Sequence, residues 1–308
     1  MNQRRIITAA AVAVAAAVLA VAGLRQQQRE DSTDAMRAPS SPSLPAQRVI
    51  SVTPAITEII YALGADERLT GVSRFCDEPP AAALKPKVGD LFNLNYETII
   101  PLAPDVIFIT QSSAYAHQTV QLEKTGARII IVDDNSVAGI IRSIKVIGET
   151  TGSRLEAERL VTGIEARITA VKARIGGAAV RPRVLLLYSA FKADNAGDNV
   201  YACGRGNLYN EFIELAGGLN AIAENSPSAP LLSTERIVEL RPDVIIQLGE
   251  GEKGTRTDAR GVWSGFETIP AVRDRRIYIL SGSQLMRPGP RFVDTLEAFT
   301  DVIAPPSE

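Results

Sequence analysis

The chain is 308 residues long, 45% apolar and 22% charged, enough material for two domains that each bury a core. A formal net charge of −2 with scattered basic residues gives no electrostatic footprint for DNA or RNA, which excludes a nucleic-acid partner. His117, Cys76 and Cys203 are the only imidazole and thiol groups, too few for a histidine-rich transition-metal cage, so no metal or cofactor is expected.

Arg4 and Arg5 precede an apolar stretch from Ile6 to Leu24, after which the chain turns polar. Residues 1–24 therefore read as a signal peptide or membrane anchor. Ala20-Val21-Ala22 offers a small-x-small cleavage pattern, and the reading leans to cleavage. The absence of a nearby cysteine excludes a lipid-anchored lipoprotein, and the paired arginines fit a plain basic leader better than a twin-arginine signal. Residues 25–46, rich in Gln, Ser and Pro, read as a disordered linker. Either way, the folded part works outside the cytoplasm.

A first lobe is expected over 47–152. Arg48–Val52 predicts a strand; Thr53 then caps a helix with Pro54 at its first position, and Ile56, Ile59, Ile60 and Leu63 recur at helical spacing up to Gly64. Leu69–Val72 is a second strand, running into the loop Ser73–Pro80. Next comes LNYETIIPLAPDVI (94–107), which returns as LSTERIVELRPDVI at 232–245. Each copy places a glutamate (Glu97, Glu235) in the first turn of a short helix, stops the helix at a proline, and feeds a β-branched strand. A repeat that keeps charge as well as apolar pattern implies two lobes of one ancestry, because neither glutamate is needed in a core. A helix over about 115–125 and a strand over 128–132 complete the lobe. Alternating strands and helices mean parallel strands with crossover helices.

Val137, Ile140, Ile141 and Ile144 mark a further helix closed near Gly148–Gly152. Ser153 with Glu156 reads as a capping box opening a long connecting helix over 153–176, with Leu160, Val161, Ile164, Ile168 and Val171 along one stripe. The second lobe, 177–308, repeats the first: strands at 184–188 and 277–280, a helix over 208–216, the second repeat copy, and a closing helix over 290–303. Its strand-to-helix connections at 189–206 and 249–263 are long. In open α/β sheets such connections lie outside the carboxyl ends of the strands, where ligands bind.

Several motifs are set aside. Gly249-Glu-Gly-Glu-Lys-Gly254 fits G-x-G-x-x-G, yet Glu250 and Glu252 would repel a pyrophosphate and no apolar-periodic helix opens at Gly254. His117 lies on a predicted helix and no G-x-S-x-G elbow occurs, so no catalytic residue is assigned. Cys76 and Cys203 fall in loops of different lobes, and a disulfide between them would staple the lobes. Two unpaired thiols, or two small buried groups, are the alternatives.

The runs ISVTPAITEIIYALGA, GVSRFCDEPP, KVGDLFNLNYETIIPLAPDVI, GRGNLYNEFIELAGGLNAI, LSTERIVELRPDVII and MRPGPRFVDTLEAF, in order over about 47–305, resemble the substrate-binding proteins of ABC importers for cobalamin and iron chelates. The R-x-C-D-x-P loop is most similar to the cobalamin-binding branch. The resemblance implies an α/β fold of two Rossmann-like lobes with parallel sheets, joined by one long helix, with the ligand held between them. It implies that Glu97 and Glu235 dock onto arginines of a membrane permease dimer. It also implies a cleft whose loops include Thr53, Arg74, Phe75, Cys76, Asp77, Phe92, Ser112, Phe191, Arg205 and Trp263; Tyr188 and Tyr201 are further aromatic candidates, and core packing is the alternative for each aromatic taken singly. Aromatic faces with a few donors suit a broad, mostly apolar disc.

The expectation is therefore a monomeric, non-enzymatic carrier that captures a corrinoid and delivers it to the permease. The alternatives are a haem or ferric-siderophore carrier of the same family, a membrane-tethered ligand sensor, and an exported enzyme.

Overall fold

The computed structural model describes residues 44–90, 93–111, 121–176, 180–188, 199–222, 229–249, 254–256 and 260–304. Pro45–Glu308 forms one compact unit. The fold starts two residues before the expected boundary: Ala46 is buried and its N–H donates to the Thr150 carbonyl at 2.9 Å, so Pro45 and Ala46 belong to the first lobe and not to the linker.

In the first lobe β1 (Val49–Ser51), β2 (Leu69–Val72), β3 (Val106–Thr110) and β4 (Arg128–Val132) form a parallel sheet in the order β2-β1-β3-β4. Every residue of β3 is buried, as a strand covered on both faces requires. Helix α1 (Pro54–Ala62) starts as expected, with the Thr53 hydroxyl accepting from Ile56 N and Pro54 in the first turn. Helix α2 is Pro80–Ala83, and α3 (Tyr96–Ile99) continues as a 3₁₀ turn through Leu102. The helix expected over 115–125 lies mostly outside the described residues.

The second lobe contains β5 (Arg183–Leu187), β6 (Val200–Tyr201), α6 (Leu208–Leu215), β7 (Leu219–Asn220), β8 (Leu231–Leu232), α7 (Thr234–Leu240), β9 (Val244–Gly249), β10 (Gly254–Arg256), α8 (Arg260–Trp263), α9 (Pro270–Arg273), β11 (Ile277–Ser281) and α10 (Phe292–Ile303). Its main sheet runs β10-β11-β9-β5-β7. Read from the other edge, β7-β5-β9-β11 follows the same winding as β2-β1-β3-β4, with β10 added antiparallel. The repeated phrase thus reflects a repeated topology. Gly254 opens an edge strand and no helix, in line with setting the glycine motif aside.

Between the lobes run α4 (Val137–Thr151) and the spine α5 (Arg154–Ile175), whose 22 residues span about 33 Å. Ala157, Val161, Ile164, Ile168 and Val171 are its buried stripe. The expected capping box does not form. Gly152 closes α4 in the left-handed conformation and Ser153 N donates to Gly148 O at 2.7 Å, leaving Ser153 at φ −103°, ψ 41° with no side-chain cap bond. That backbone is outside the extended region an N-cap needs. Gly148 is required by packing: a Cβ there would lie 2.5 Å from the Ala157 methyl.

The two repeat copies share a clamp. Asp105 Oδ2 accepts from Gln47 N (2.7 Å) and Arg48 N (2.9 Å), and Asp243 Oδ2 accepts from Arg183 N (2.8 Å). The Arg48 side chain donates to the Leu102 carbonyl and that of Arg183 to the Leu240 carbonyl, satisfying the ends of α3 and α7. Ala103 and Arg241, at φ 40° and 44°, make equivalent left-handed turns before the prolines. Each aspartate therefore ties the start of its lobe's first strand to the repeat unit.

Asp243→Ala should lower stability by about 1–2 kcal/mol, since hydrogen bonds to charged groups contribute more than neutral ones. The exposed Glu97→Ala and Glu235→Ala should each stay within about 0.5 kcal/mol of wild type. Thermal denaturation decides this, and equal effects at the aspartate and the glutamates would count against the assignment.

Candidate functional site

The carboxyl ends of β1, β2, β5 and β6 carry most of the described residues expected to face a ligand. In the first lobe, the loop after β2 is pinned from below. Ser73 N donates to Ser51 O, Arg74 N to Gly89 O, and the Lys87 ammonium to the Cys76 and Ala82 carbonyls. Cys76 is buried, its sulfur 3.1 Å from the Thr57 hydroxyl and 3.3 Å from that of Ser73. With Cys76 turned inward, Arg74, Phe75 and Asp77 turn outward, and Phe75 is 52% exposed. The Arg74 guanidinium stacks over the Phe75 ring at 4.8 Å and pairs with the buried Asp90 at 2.5 Å. Gly89 makes this possible: at φ +96° a Cβ would lie 2.2 Å from Asn93 O, inside the turn that holds Asp90. The Thr53 side chain serves as the α1 cap.

In the second lobe Tyr188 is half-buried at the end of β5 and meets Tyr209 edge to face at 5.5 Å. Tyr188 N donates to Tyr201 O at 2.9 Å, so β6 lies across the carboxyl end of β5. Its residue Tyr201 is 57% exposed, opposite Leu231 on β8. Arg205 is exposed, with Nε donating to Ile222 O. Phe92, Ser112, Phe191 and His117 lie outside the described residues.

Two expectations are corrected. Trp263 is 1% exposed and packs with Phe266 in the cluster that holds Leu185, Leu187 and Ile245, so it is core and not cleft. The disulfide is absent: Cys76 and Cys203 are both free and buried. Each loop turns its thiol into its own lobe. The Cys203 sulfur sits 3.3 Å from Gly204 O and from Asn207 Oδ1, and burial pushes the thiol up to about 11.

Sequence reasoning missed two arginines. Arg287 pairs with Asp77, holding that carboxyl below its usual range, and Arg291 makes a two-point contact with Glu58 at 2.8 Å each. Both contacts cross from the second lobe to the first. The R-P-G-P-R spacing is the only local signal for them; their partners lie more than 200 residues away.

Glu97 and Glu235 are both exposed, in the first turns of α3 and α7 behind the N-caps Asn95 and Ser233. A hydrogen bond from Ser233 holds the Glu235 carboxyl below its usual range. A cavity of ≈ 740 Å³ beside the spine, lined by Val137, Ile141, Ile168, Lys172 and Leu215 among others, contains none of the expected ligand residues.

A thiol-specific colour reagent should find Cys76 and Cys203 inert in the folded protein and titrate both after unfolding without reductant. Failure to titrate either thiol in the unfolded, unreduced chain would restore the bridge.

Comparison with known proteins agrees with this architecture. The chain is 29% identical over 84% of its length, and 80% of the relative's, to an uncharacterized ABC transporter substrate-binding lipoprotein, YvrC, of Bacillus subtilis. It is 25% identical over 84% of its length to the vitamin B12-binding protein of Vibrio parahaemolyticus, covering 88% of that protein. Among solved structures, the periplasmic heme-binding protein RhuT of Roseiflexus matches with a TM-score of 0.66 at 28% identity, covering 84% of this chain and 99% of that one. The vitamin B12-binding protein BtuF of Vibrio cholerae matches in fold with a TM-score of 0.72 at 24% identity, covering 84% and 97%. Residues 49–283 match the family described as Periplasmic binding protein, and the chain belongs to that family, whose members bind solutes and are not enzymes.

Proposed function

We propose that the protein is the extracytoplasmic substrate-binding component of an ABC importer and that its ligand is a corrinoid. The observation that carries the ligand reading is the charge state of the described cleft. Arg74 is neutralised by Asp90 and Arg287 by Asp77, leaving exposed Phe75 and Tyr201 as apolar faces among balanced charges. A disc fringed with neutral amides needs no surplus of cations, whereas the carboxylates of a haem would need unpaired positive groups to offset their desolvation. The B12-binding relatives support the same choice. The haem reading draws on Arg205, exposed and with no carboxylate partner among the described residues, and on the haem-binding neighbours.

Delivery rests on Glu97 and Glu235, two exposed anions at equivalent positions of two similar lobes. That pair suits a two-fold symmetric permease offering one cationic site per subunit, each a charge-assisted contact. Among the described residues no helix is long and apolar enough to cross a membrane; residues 6–24, the expected leader or anchor, lie outside them.

In a thermal-shift screen of cyanocobalamin, haem and ferric siderophores, cyanocobalamin at about a hundred times its Kd should stabilise by about 2.7 kcal/mol, a rise of roughly 5 °C or more. Stabilisation by haem alone would replace the corrinoid reading. Glu97→Ala combined with Glu235→Ala should leave ligand affinity within about twofold and abolish uptake through the permease, because both carboxylates are exposed, contribute little to the fold and are not among the residues assigned to the cleft. Uptake at the wild-type rate would remove the docking role.

A further inference from the structure

Residues 282–291 leave the second lobe and return to it. Leu285 is buried in the core and its carbonyl accepts from the Tyr209 hydroxyl, and Phe292 re-enters the core at the start of α10. Between these anchors the chain lies on the first lobe. Gly289 runs so close to α1 that an added Cβ would meet the Ala55 backbone and Glu58 Oε2, each at 3.4 Å. On either side of Gly289, Arg287 grips Asp77 on the cleft loop and Arg291 grips Glu58, a carboxylate only 5% exposed. Pro288 and Pro290 restrict the backbone between the two arginines, so little chain entropy is lost in presenting them together.

We propose that residues 287–291 act as a strap that holds the two lobes at a fixed opening, and that Arg287 is a positioning residue: by holding Asp77 it sets the cleft loop carrying Arg74 and Phe75. The two contacts differ in role. The Arg291–Glu58 contact is bidentate and its acid is buried, and it resists separation because parting it strands that carboxylate. The Arg287–Asp77 contact has its acid 64% exposed, so water can take over the carboxylate's side of the contact at low cost, and it is the end of the strap that lets go first. In a carrier this end controls ligand escape. That last step rests on the proposed carrier function; the strap itself does not.

The test uses the full chain, with spin labels on cysteines introduced at the exposed Leu84 and Arg273, one in each lobe; the native cysteines are buried. Pulsed dipolar spectroscopy without ligand should give one narrow inter-lobe distance. Arg287→Ala should broaden that distribution at least twofold, and Arg287→Lys should restore part of the narrowing. Glu58→Gln with Arg291→Gln, which removes the charges without stranding either one, should broaden it further. With cyanocobalamin as the probe, Arg287→Ala should raise the dissociation rate about tenfold while the association rate changes less than threefold. An unchanged distance distribution in both the Arg287→Ala and the paired variants overturns the strap, whatever the ligand. Broadening in the absence of any cyanocobalamin binding keeps the strap and removes only the corrinoid reading.

Discussion

The buried stripe of the spine, from Ala157 to Val171, belongs to a hydrophobic core that continues without a break from Ile56 and Phe108 in the first lobe to Phe212 and Phe299 in the second. Two sheets that share a core through one helix cannot swing apart like domains on a flexible linker, because any large hinge motion would expose that stripe to water. The spine is also tied to the closing helix: Arg167 reaches Glu297 and Asp294, and Arg174 reaches Asp301. At the start of α4, Glu211 of the second lobe accepts from Val137 N at 2.9 Å, a carboxylate on a helix N-terminus. A carrier so built keeps its cleft largely preformed, and its affinity depends on the residues placed at the rim more than on closure.

Within this frame the repeated phrase divides its charges between two tasks. The aspartates spend their acceptor capacity on backbone N–H groups at the start of β1 and β5, where an unpaired donor would be costly. The glutamates, eight residues earlier, point to solvent in the first turn of a capped helix and carry no comparable internal duty. The helix dipole favours an acid at that position, but it explains neither the exposure nor the recurrence at matching places in both lobes. Equivalent anions on equivalent surfaces are what a symmetric partner can read.

The cleft loops follow one rule: small or polar groups turn inward to fix the loop, so that larger ones turn outward. Cys76, Ser73 and Thr57 form the inner contact of the first lobe, and Cys203 with Asn207 that of the second. Buried and held by contacts within their own lobes, these thiols act as small apolar groups and not as redox centres. Of the charges that reach the rim, Arg74 and Arg287 are matched by Asp90 and Asp77, and Arg205 stands without a carboxylate partner among the described residues.

Much of this was legible in the sequence because the signals were local. Helical spacing in α1, the proline and cap at its start, the β-branched run of β3 and the long apolar stripe of α5 each depend on neighbours within a few residues, and each formed where expected. The recurrence of one phrase was enough to anticipate two lobes of the same winding. Tertiary structure alone decided where each side chain points and with whom it pairs. Ser153 fails as a cap because Gly152 sets its backbone; Trp263 fills a core because α8 presses it against the second sheet; and each thiol makes its contacts within its own lobe because Lys87 holds the Cys76 loop and Asn220 the Cys203 loop. The cross-lobe contacts of Arg287 and Arg291 span more than 200 residues of chain, and no local pattern encodes a partner at that separation. Periodicity determines which face of an element is apolar, but only packing determines what that face meets.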